Sequence, residues 1–504
     1  YTGVNGGMVL ITADEPGHHS SQNEQDNRNY AKFAKIGMLE PSDSQEAKDM
    51  VKVAFEISEE YDTPILLRMT TRVCHSKSIV ECEDRKEVGI KPYKKNINKY
   101  MTIPAHAGKL RIKVEERLEK LERFSNETEL NFFEWNDTKI GVIASGMAYK
   151  YAKEVVGTTA SYLKLGYTYP LPGEKIKEFA EKVDKIYVIE ENDPFIEEYL
   201  KINGIECFGK NTFPYTGELT QDVIRKSVFG STNETAEYKD DLVVGRPPTL
   251  CAGCPHRGFF YEVGKRKNVM VSGDIGCYTL GFAEPYNAMD YNICMGASIS
   301  AGHGAQQVFN MEGSTGHRVI SVLGDSTFFH TGINSLLDVV YNGSNTVNVI
   351  LDNRITGMTG HQENPGSGYT LQGKKTTIVD IEAVVKACGI KHIRTIDPNN
   401  IKLVRETLDW ALELDEPSVI ITRWPCVLKK FSEEDKTEFE GLFSTKCDID
   451  QEKCIGCRAC IRTGCPALSF DKANKKASID RAMCVGCEVC LQTCPVGAIA
   501  KEEK

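Results

Sequence analysis

Residues Cys454–Pro466 read CIGCRACIRTGCP, and residues Cys484–Pro495 read CVGCEVCLQTCP. Each run holds three cysteines spaced by two residues, then a fourth cysteine followed by proline. Thiolates at that spacing wrap one face of a [4Fe–4S] cubane, and the remote Cys-Pro of each run closes the cubane of the other. By that crossing, Cys454, Cys457, Cys460 and Cys494 hold one cluster, and Cys465, Cys484, Cys487 and Cys490 hold the second. Zinc ribbons need two CxxC pairs per metal, which neither run supplies. The first run has one more residue before its last cysteine than the second, so its cluster loop is expected to bulge by one residue. A chain built this way passes electrons singly and at low potential.

Working outward, the two runs form an internal repeat that defines a small α+β module over residues 443–504. The rest of the chain alternates strand and helix signals, the pattern of an α/β protein with parallel sheets. The first segment, 1–80, has strands at Met8–Asp14 and Pro64–Thr70 and an amphipathic helix at Ser44–Tyr61. Residues 81–137 are charged, and Lys109–Phe124 reads as a solvated linking helix. A second α/β unit spans 138–235, with strands in KIGVIASG and KIYVIEEN, and the polar stretch Gly230–Asp241 closes it. The third unit, 245–430, has strands at Val319–Asp325, Thr346–Asn353 and Ser418–Arg423. The connector into the cysteine-rich module is polar, which leaves the module free to sit near the third unit or far from it.

Composition narrows the class. The 504 residues carry a net charge of −10 with 26% charged residues, which disfavours a nucleic-acid partner. No apolar run approaches the roughly 18–20 residues of a membrane helix. The 18 cysteines follow metal spacing and not a secreted disulfide framework. Their ligands must stay thiolates, so a reducing cytoplasm, in a cell that avoids oxygen, is expected. The chain opens with Tyr1 and not Met, directly before an apolar strand, which reads as a truncated start.

In the third unit, Gly324-Asp325 ends one apolar strand and Asp352-Asn353 ends the next, 28 residues separating Asp325 from Asn353. Oxygen-bearing side chains at the carboxyl ends of parallel strands suit Mg²⁺ and a phosphate-bearing ligand. This pattern resembles the GDG…N signature of thiamine-diphosphate enzymes, with Ser326 in place of the last glycine. Together with LCAGCPHRG (Leu250–Gly258), SGDIGCYTLG (Ser272–Gly281), CMGASISAGHGA (Cys294–Ala305) and GMTGHQENPG (Gly357–Gly366), it resembles the cofactor domain of the 2-oxoacid:ferredoxin oxidoreductases. The opening segment with HHSSQNEQDNR (His18–Arg28) narrows the likeness to the alpha subunits of the indolepyruvate type, which also fuse a ferredoxin module at the C-terminus.

The resemblance implies several open parallel-sheet domains of the thiamine-diphosphate-enzyme kind followed by a ferredoxin-like tail. It implies Mg²⁺ bound by Asp325, Asn353 and the carbonyl of Ile355. It also implies thiamine diphosphate, an arylpyruvate substrate, coenzyme A, external ferredoxin and a smaller beta subunit in a hetero-oligomer. The family's Glu that protonates the aminopyrimidine is not found here and is expected upstream of Tyr1. In related enzymes a CxxC, a cysteine some tens of residues on, and a distant cysteine hold a further cluster. Cys251, Cys254, Cys277 and Cys426 follow that order, and read either as ligands of a third [4Fe–4S] cluster or as buried structural thiols. His18, His19 and Arg28 either face the substrate or belong to a polar surface loop. His256 and His361 lie beside cofactor motifs and read equally as packing residues. Cys74, Cys82, Cys207, Cys294, Cys388 and Cys447 carry no pattern. Two other readings compete: a different 2-oxoacid (pyruvate, 2-oxoglutarate or phenylglyoxylate), and an electron-transfer subunit with a vestigial cofactor domain.

Overall fold

A computed structural model describes residues 1–234, 239–439 and 445–501. The expected module start at 443, positions 235–238 of the polar stretch and residues 502–504 lie outside the described residues. The chain divides into two compact units, Tyr1–Asp240 and Asp241–Lys504.

The first unit holds eight strands among its described residues: β1 (Val9–Asp14), β2 (Gly37–Leu39), β3 (Ile65–Thr70), β4 (Asn131–Glu134), β5 (Gly141–Ser145), β6 (Ser161–Leu165), β7 (Tyr167–Tyr169) and β8 (Ile186–Ile189). They form two sheets, in the orders β1-β3-β2-β7 and β4-β6-β5-β8. After Gly166 the chain leaves one sheet and enters the other, where Tyr169 pairs with Met38 and Tyr167 with Leu39 in antiparallel sense. The segments expected as separate domains, 1–80 and 138–235, therefore share a strand and belong to one unit. The helix Ser44–Tyr61 starts where the Asp43 carboxylate accepts the Glu46 N–H at 2.9 Å, a cap worth about 1 kcal/mol. It buries Met50, Ala54 and Ile57 along one face.

The expected solvated linker needs correction. Pro104–Glu127 is a helix that starts with proline at its first turn and buries Leu110, Val114 and Leu121. Leu121 packs with Met50, Ile57, Leu67 and Tyr167 in the core of the unit. Its many charged residues hid a narrow apolar stripe at helical spacing. Residues 77–96 before it carry no helix or strand.

In the second unit, β9 (Val269–Ser272), β10 (Arg318–Gly324), β11 (Val347–Asp352), β12 (His392–Ile396) and β13 (Ser418–Arg423) form a parallel sheet in the order β12-β13-β11-β10-β9. Both faces are buried, as parallel strands require. Ile320, Val322, Val349, Leu351 and Ile420 face one core, and Leu323, Ile350, Val419 and Ile421 face the other. Gly324 of β10 pairs with Leu351 of β11, so Asp325 leaves the sheet beside Asp352 and Asn353.

The tail adds β14 (Cys447–Ile449), β15 (Leu468–Asp471), β16 (Lys476–Ile479) and β17 (Ile499–Lys501), with β14 antiparallel to β17 and β15 to β16. The internal repeat is visible in the backbone. Gly456 and Arg458 of the first run have φ of 69° and 60°, and Gly486 and Glu488 of the second have 77° and 63°. The expected one-residue bulge is Gly464, at φ 66°. The tail lies in the same compact unit as the sheet. Among the described residues no helix is long and apolar enough to cross a membrane.

Candidate active site

Three strand-end aspartates of the second unit have different surroundings. Asp274, after β9, is fully used inside the protein. Its carboxylate accepts N–H bonds from Ile275 (2.6 Å) and Gly296 (2.8 Å) and the Ser298 hydroxyl (3.2 Å). Asp352, at the end of β11, faces two arginines: Arg423 Nε donates to it at 2.8 Å, and Arg354 Nε lies 3.5 Å away. Asp325 has no cation beside it among the described residues. One carboxylate oxygen accepts the Ser326 N–H at 2.7 Å, while Oδ2 is buried with no donor at normal hydrogen-bond distance, the Asn364 side chain and the Ile355 N–H offsetting its burial only in part. Burial, and then the negative charge of Asp352, push its carboxyl well above the usual range. An orphaned, buried carboxylate oxygen of this kind is costly and fits a divalent cation, which would pair it and keep it charged.

Asp325 opens into a pocket that Asn353, Ile355, His256, Cys277 and Tyr278 also line. The Asn353 side-chain oxygen accepts the Ile355 N–H at 3.2 Å, and its nitrogen lies 3.4 Å from His256 Nε2. Burial pushes the His256 imidazole down to about 4, so the ring is neutral and can accept from that amide. Arg354, between Asn353 and Ile355, has φ of 60°, and its Nη2 donates to both carboxylate oxygens of Glu438 at 2.7 Å. That pair ties the strand-end loop to the helix Glu433–Glu438 that precedes the tail.

Cys251, Cys254, Cys277 and Cys426 come together beside this pocket, and Cys277 lines it. Burial raises the Cys254 and Cys277 thiols, to about 12 and about 11, and raises Cys426 as well, with neighbouring members of the set adding to each shift. The Cys426 N–H donates to the Asn353 carbonyl at 2.9 Å. In the tail, Cys454, Cys457, Cys460 and Cys494 line one pocket. Cys487 is half-buried, and its thiol is pushed up to about 11 by burial, with Cys465 and Cys484 adding to the shift. Among the described residues no three His, Cys, Asp or Glu side chains converge as a single metal ion would require.

Sequence reasoning missed two residues. Cys447 is buried, and its N–H donates to Cys484 Sγ at 3.5 Å. It stands seven residues before Cys454, outside any CxxC spacing, so no pattern could flag it. Arg257 is 1% exposed, and the only signal for it was its place after CAGCPH.

The HHSSQNEQDNR segment lies in the first unit. His18 and His19 have φ of 63° and 44° and lie near Glu24 (3.5 Å) and Glu218 (4.0 Å). Arg28 is a correction. It is 1% exposed, pairs with Asp26 at 2.5 Å and Glu190 at 2.6 Å, and donates to the carbonyls of Glu191 and Asp193. Its donors staple the loop after β1 to the loop after β8, which leaves no face for a substrate.

Comparison with known proteins agrees with this layout. Residues 274–422 match the family described as "Thiamine pyrophosphate enzyme, C-terminal TPP binding domain", and residues 433–498 match the "4Fe-4S dicluster domain". The whole chain is 40% identical to the indolepyruvate oxidoreductase subunit IorA of Methanothermobacter thermautotrophicus and covers 83% of it. Against the subunit of that name from Pyrococcus horikoshii it is 38% identical, over 99% of this chain and 83% of that one. A solved 2-oxoglutarate:ferredoxin oxidoreductase from Magnetococcus marinus matches at 19% identity, over 39% of this chain and 70% of that one, with a TM-score of 0.34. That likeness is too slight to argue from. Thiamine diphosphate and two [4Fe–4S] clusters are thus the cofactors of this chain.

Proposed function

Because this chain belongs to the family of indolepyruvate oxidoreductase IorA subunits and is a 2-oxoacid oxidoreductase, we propose that it oxidises arylpyruvates, indolepyruvate first among them. The reaction takes one arylpyruvate anion, coenzyme A and two oxidised ferredoxins, and gives the aryl-acetyl-coenzyme A, CO₂, one proton and two reduced ferredoxins. The observation that carries the reading is Asp325 Oδ2, buried and unpaired in a pocket bordered by Asn353, Ile355 and Cys277.

In this reading Asp325, Asn353 and the Ile355 carbonyl hold Mg²⁺, which anchors the diphosphate. Thiamine diphosphate, when bound, supplies the nucleophile and the electron sink that decarboxylation needs. The residues of this chain orient it. Asp352 stays with its arginines, so the cation site keeps one free carboxylate. Neutral His256 holds the Asn353 amide. Arg354 and Glu438 fix the loop between them.

Cys251, Cys254, Cys277 and Cys426 hold a third cluster at the edge of the pocket. In the tail, Cys454, Cys457, Cys460 and Cys494 hold one cluster, and Cys465, Cys484, Cys487 and Cys490 the other. A beta subunit and ferredoxin complete the assembly, in the reducing cytoplasm that cluster thiolates require. The test is anaerobic reduction of ferredoxin or a viologen by the protein with its beta partner and coenzyme A, across a panel of 2-oxoacids. Reduction by none of them would overturn the proposal.

A further inference from the structure

The two cysteine runs differ by one residue. CIRTGC spans 460–465, and CLQTC spans 490–494. Both begin with the same short helical turn, Ile461–Thr463 and Leu491–Thr493. The second then goes straight into Cys494 at φ −81°, whereas the first inserts Gly464 in the left-handed region at φ 66°.

That inserted glycine rests on the sheet domain. A methyl group there would stand 2.8 Å from Tyr286 Oη and 2.9 Å from Pro285 Cδ. The carbonyl of Thr463, just before it, accepts bonds from Tyr286 Oη at 2.7 Å and Arg257 Nη1 at 2.8 Å. Arg257 Nη2 reaches the other way and donates to the carbonyls of Leu250 and Cys251, each at 2.7 Å. One buried guanidinium thus spans from the CAGC loop beside the cofactor pocket to the turn between Cys460 and Cys465. A buried arginine is costly unless its donors are met; here carbonyls of both partners meet Nη1 and Nη2, and Nε alone has no hydrogen-bond partner.

Two further contacts lie on the same side of the tail. A Cβ on Gly253 of the CAGC loop would fall 2.1 Å from Val485 Cγ2 of the CVGC loop. Gln492 donates to the Asn399 carbonyl at 2.7 Å and accepts the Ile401 N–H at 2.9 Å. The opposite run presents Ile455, 64% exposed, and Cys457, also exposed.

We infer that Gly464 is a docking adaptor, which with Arg257 as positioning residue locks the tail onto the sheet domain. The Cys465/Cys484/Cys487/Cys490 side then receives electrons, and the Cys454/Cys457/Cys460/Cys494 side is left for the external acceptor. The direction of electron flow rests on the proposed function; the docking does not.

The experiment uses the anaerobically purified full chain with its beta partner and compares wild type, a deletion of Gly464, Arg257→Lys and Gln492→Ala. Hydrogen exchange is read at 250–257 and 461–465. Tail-cluster EPR is followed after adding indolepyruvate with coenzyme A, or dithionite. Arg257→Lys and the deletion should keep tail iron and the dithionite-reduced spectrum. Exchange in both segments should quicken roughly ten- to a hundredfold, the equivalent of one or two charge-assisted hydrogen bonds. Reduction of the tail by substrate should slow, while reduction by dithionite does not. If the deletion fails to load clusters, Arg257→Lys combined with Gln492→Ala, which leaves both cysteine spacings intact, decides the matter. Wild-type exchange and wild-type substrate reduction in Arg257→Lys and in that double variant would overturn the inference. A wild-type tail that dithionite reduces and no 2-oxoacid reduces would instead bring down the functional reading, and the exchange comparison would still decide the docking.

Discussion

His256 Nε2 lies 3.4 Å from the Asn353 side-chain nitrogen, so the helix His256–Val263 that follows the CAGC loop steadies the residue at the end of β11. His256 is buried and neutral, with its pKa pushed down to about 4. His256→Ala should therefore weaken Mg²⁺ binding in the presence of thiamine diphosphate by about 10- to 100-fold, the range seen when a group that orients a ligand is lost. Titration calorimetry on the apo protein checks it. An unchanged affinity would make His256 a packing residue only.

Asp325→Ala should abolish Mg²⁺-dependent cofactor retention and leave the tail clusters, about eight iron, in place. Stoichiometric thiamine diphosphate in the purified variant would sink the assignment. The pH dependence follows from the same carboxyl. Burial first, and Asp352 second, raise its pKa in the fold. Without metal, the folded form then binds more protons than the unfolded one, and stability is lost as pH climbs above the ordinary carboxylate range. Mg²⁺ pairs the carboxylate and removes that loss. The rise in Tm on adding Mg²⁺ and thiamine diphosphate should grow from about pH 6 to about pH 8 in wild type and be absent in Asp325→Ala.

Arg28→Ala removes one partner of a buried ion network, taking the ion-pair partner from Glu190 and leaving Asp26 only Arg68, 4.0 Å away. The expected cost is about 3–5 kcal/mol, seen as a lower denaturation midpoint of the first unit. KM for the 2-oxoacid should stay at its wild-type value in whatever fraction folds. A raised KM with unchanged stability would return Arg28 to the substrate.

Iron analysis separates two clusters from three. The four-cysteine set beside the pocket predicts about twelve iron per chain in anaerobically purified protein, falling toward eight in Cys277→Ala. Eight in both would make Cys251, Cys254, Cys277 and Cys426 structural thiols.

Much of this was legible in the sequence because it depends on local spacing. Ser418–Arg423 is a strand at the expected bounds, and Val319–Asp325 and Thr346–Asn353 are off by a residue at either end. β7 could not be read, because a three-residue strand that changes sheets is set by the tertiary fold and not by its own pattern. The helix Pro104–Glu127 looked solvated because three buried apolar residues in a charged sequence do not stand out. Asp325 and Asn353 were found by motif. That Asp352 is satisfied by Arg423 and Arg354, while Asp325 is not, is visible only in three dimensions. So is the role of Gly464, which in sequence is a one-residue departure from a spacing rule.

The central claim is that a 2-oxoacid of arylpyruvate type feeds electrons through this chain to ferredoxin. The most direct test is the initial rate of ferredoxin reduction by the anaerobic protein with its beta partner and coenzyme A. Indolepyruvate, phenylpyruvate and hydroxyphenylpyruvate should give kcat/KM at least about tenfold above pyruvate and 2-oxoglutarate, within reach of pocket discrimination alone. Preference for 2-oxoglutarate or pyruvate, or no reduction with any of the five, would contradict it.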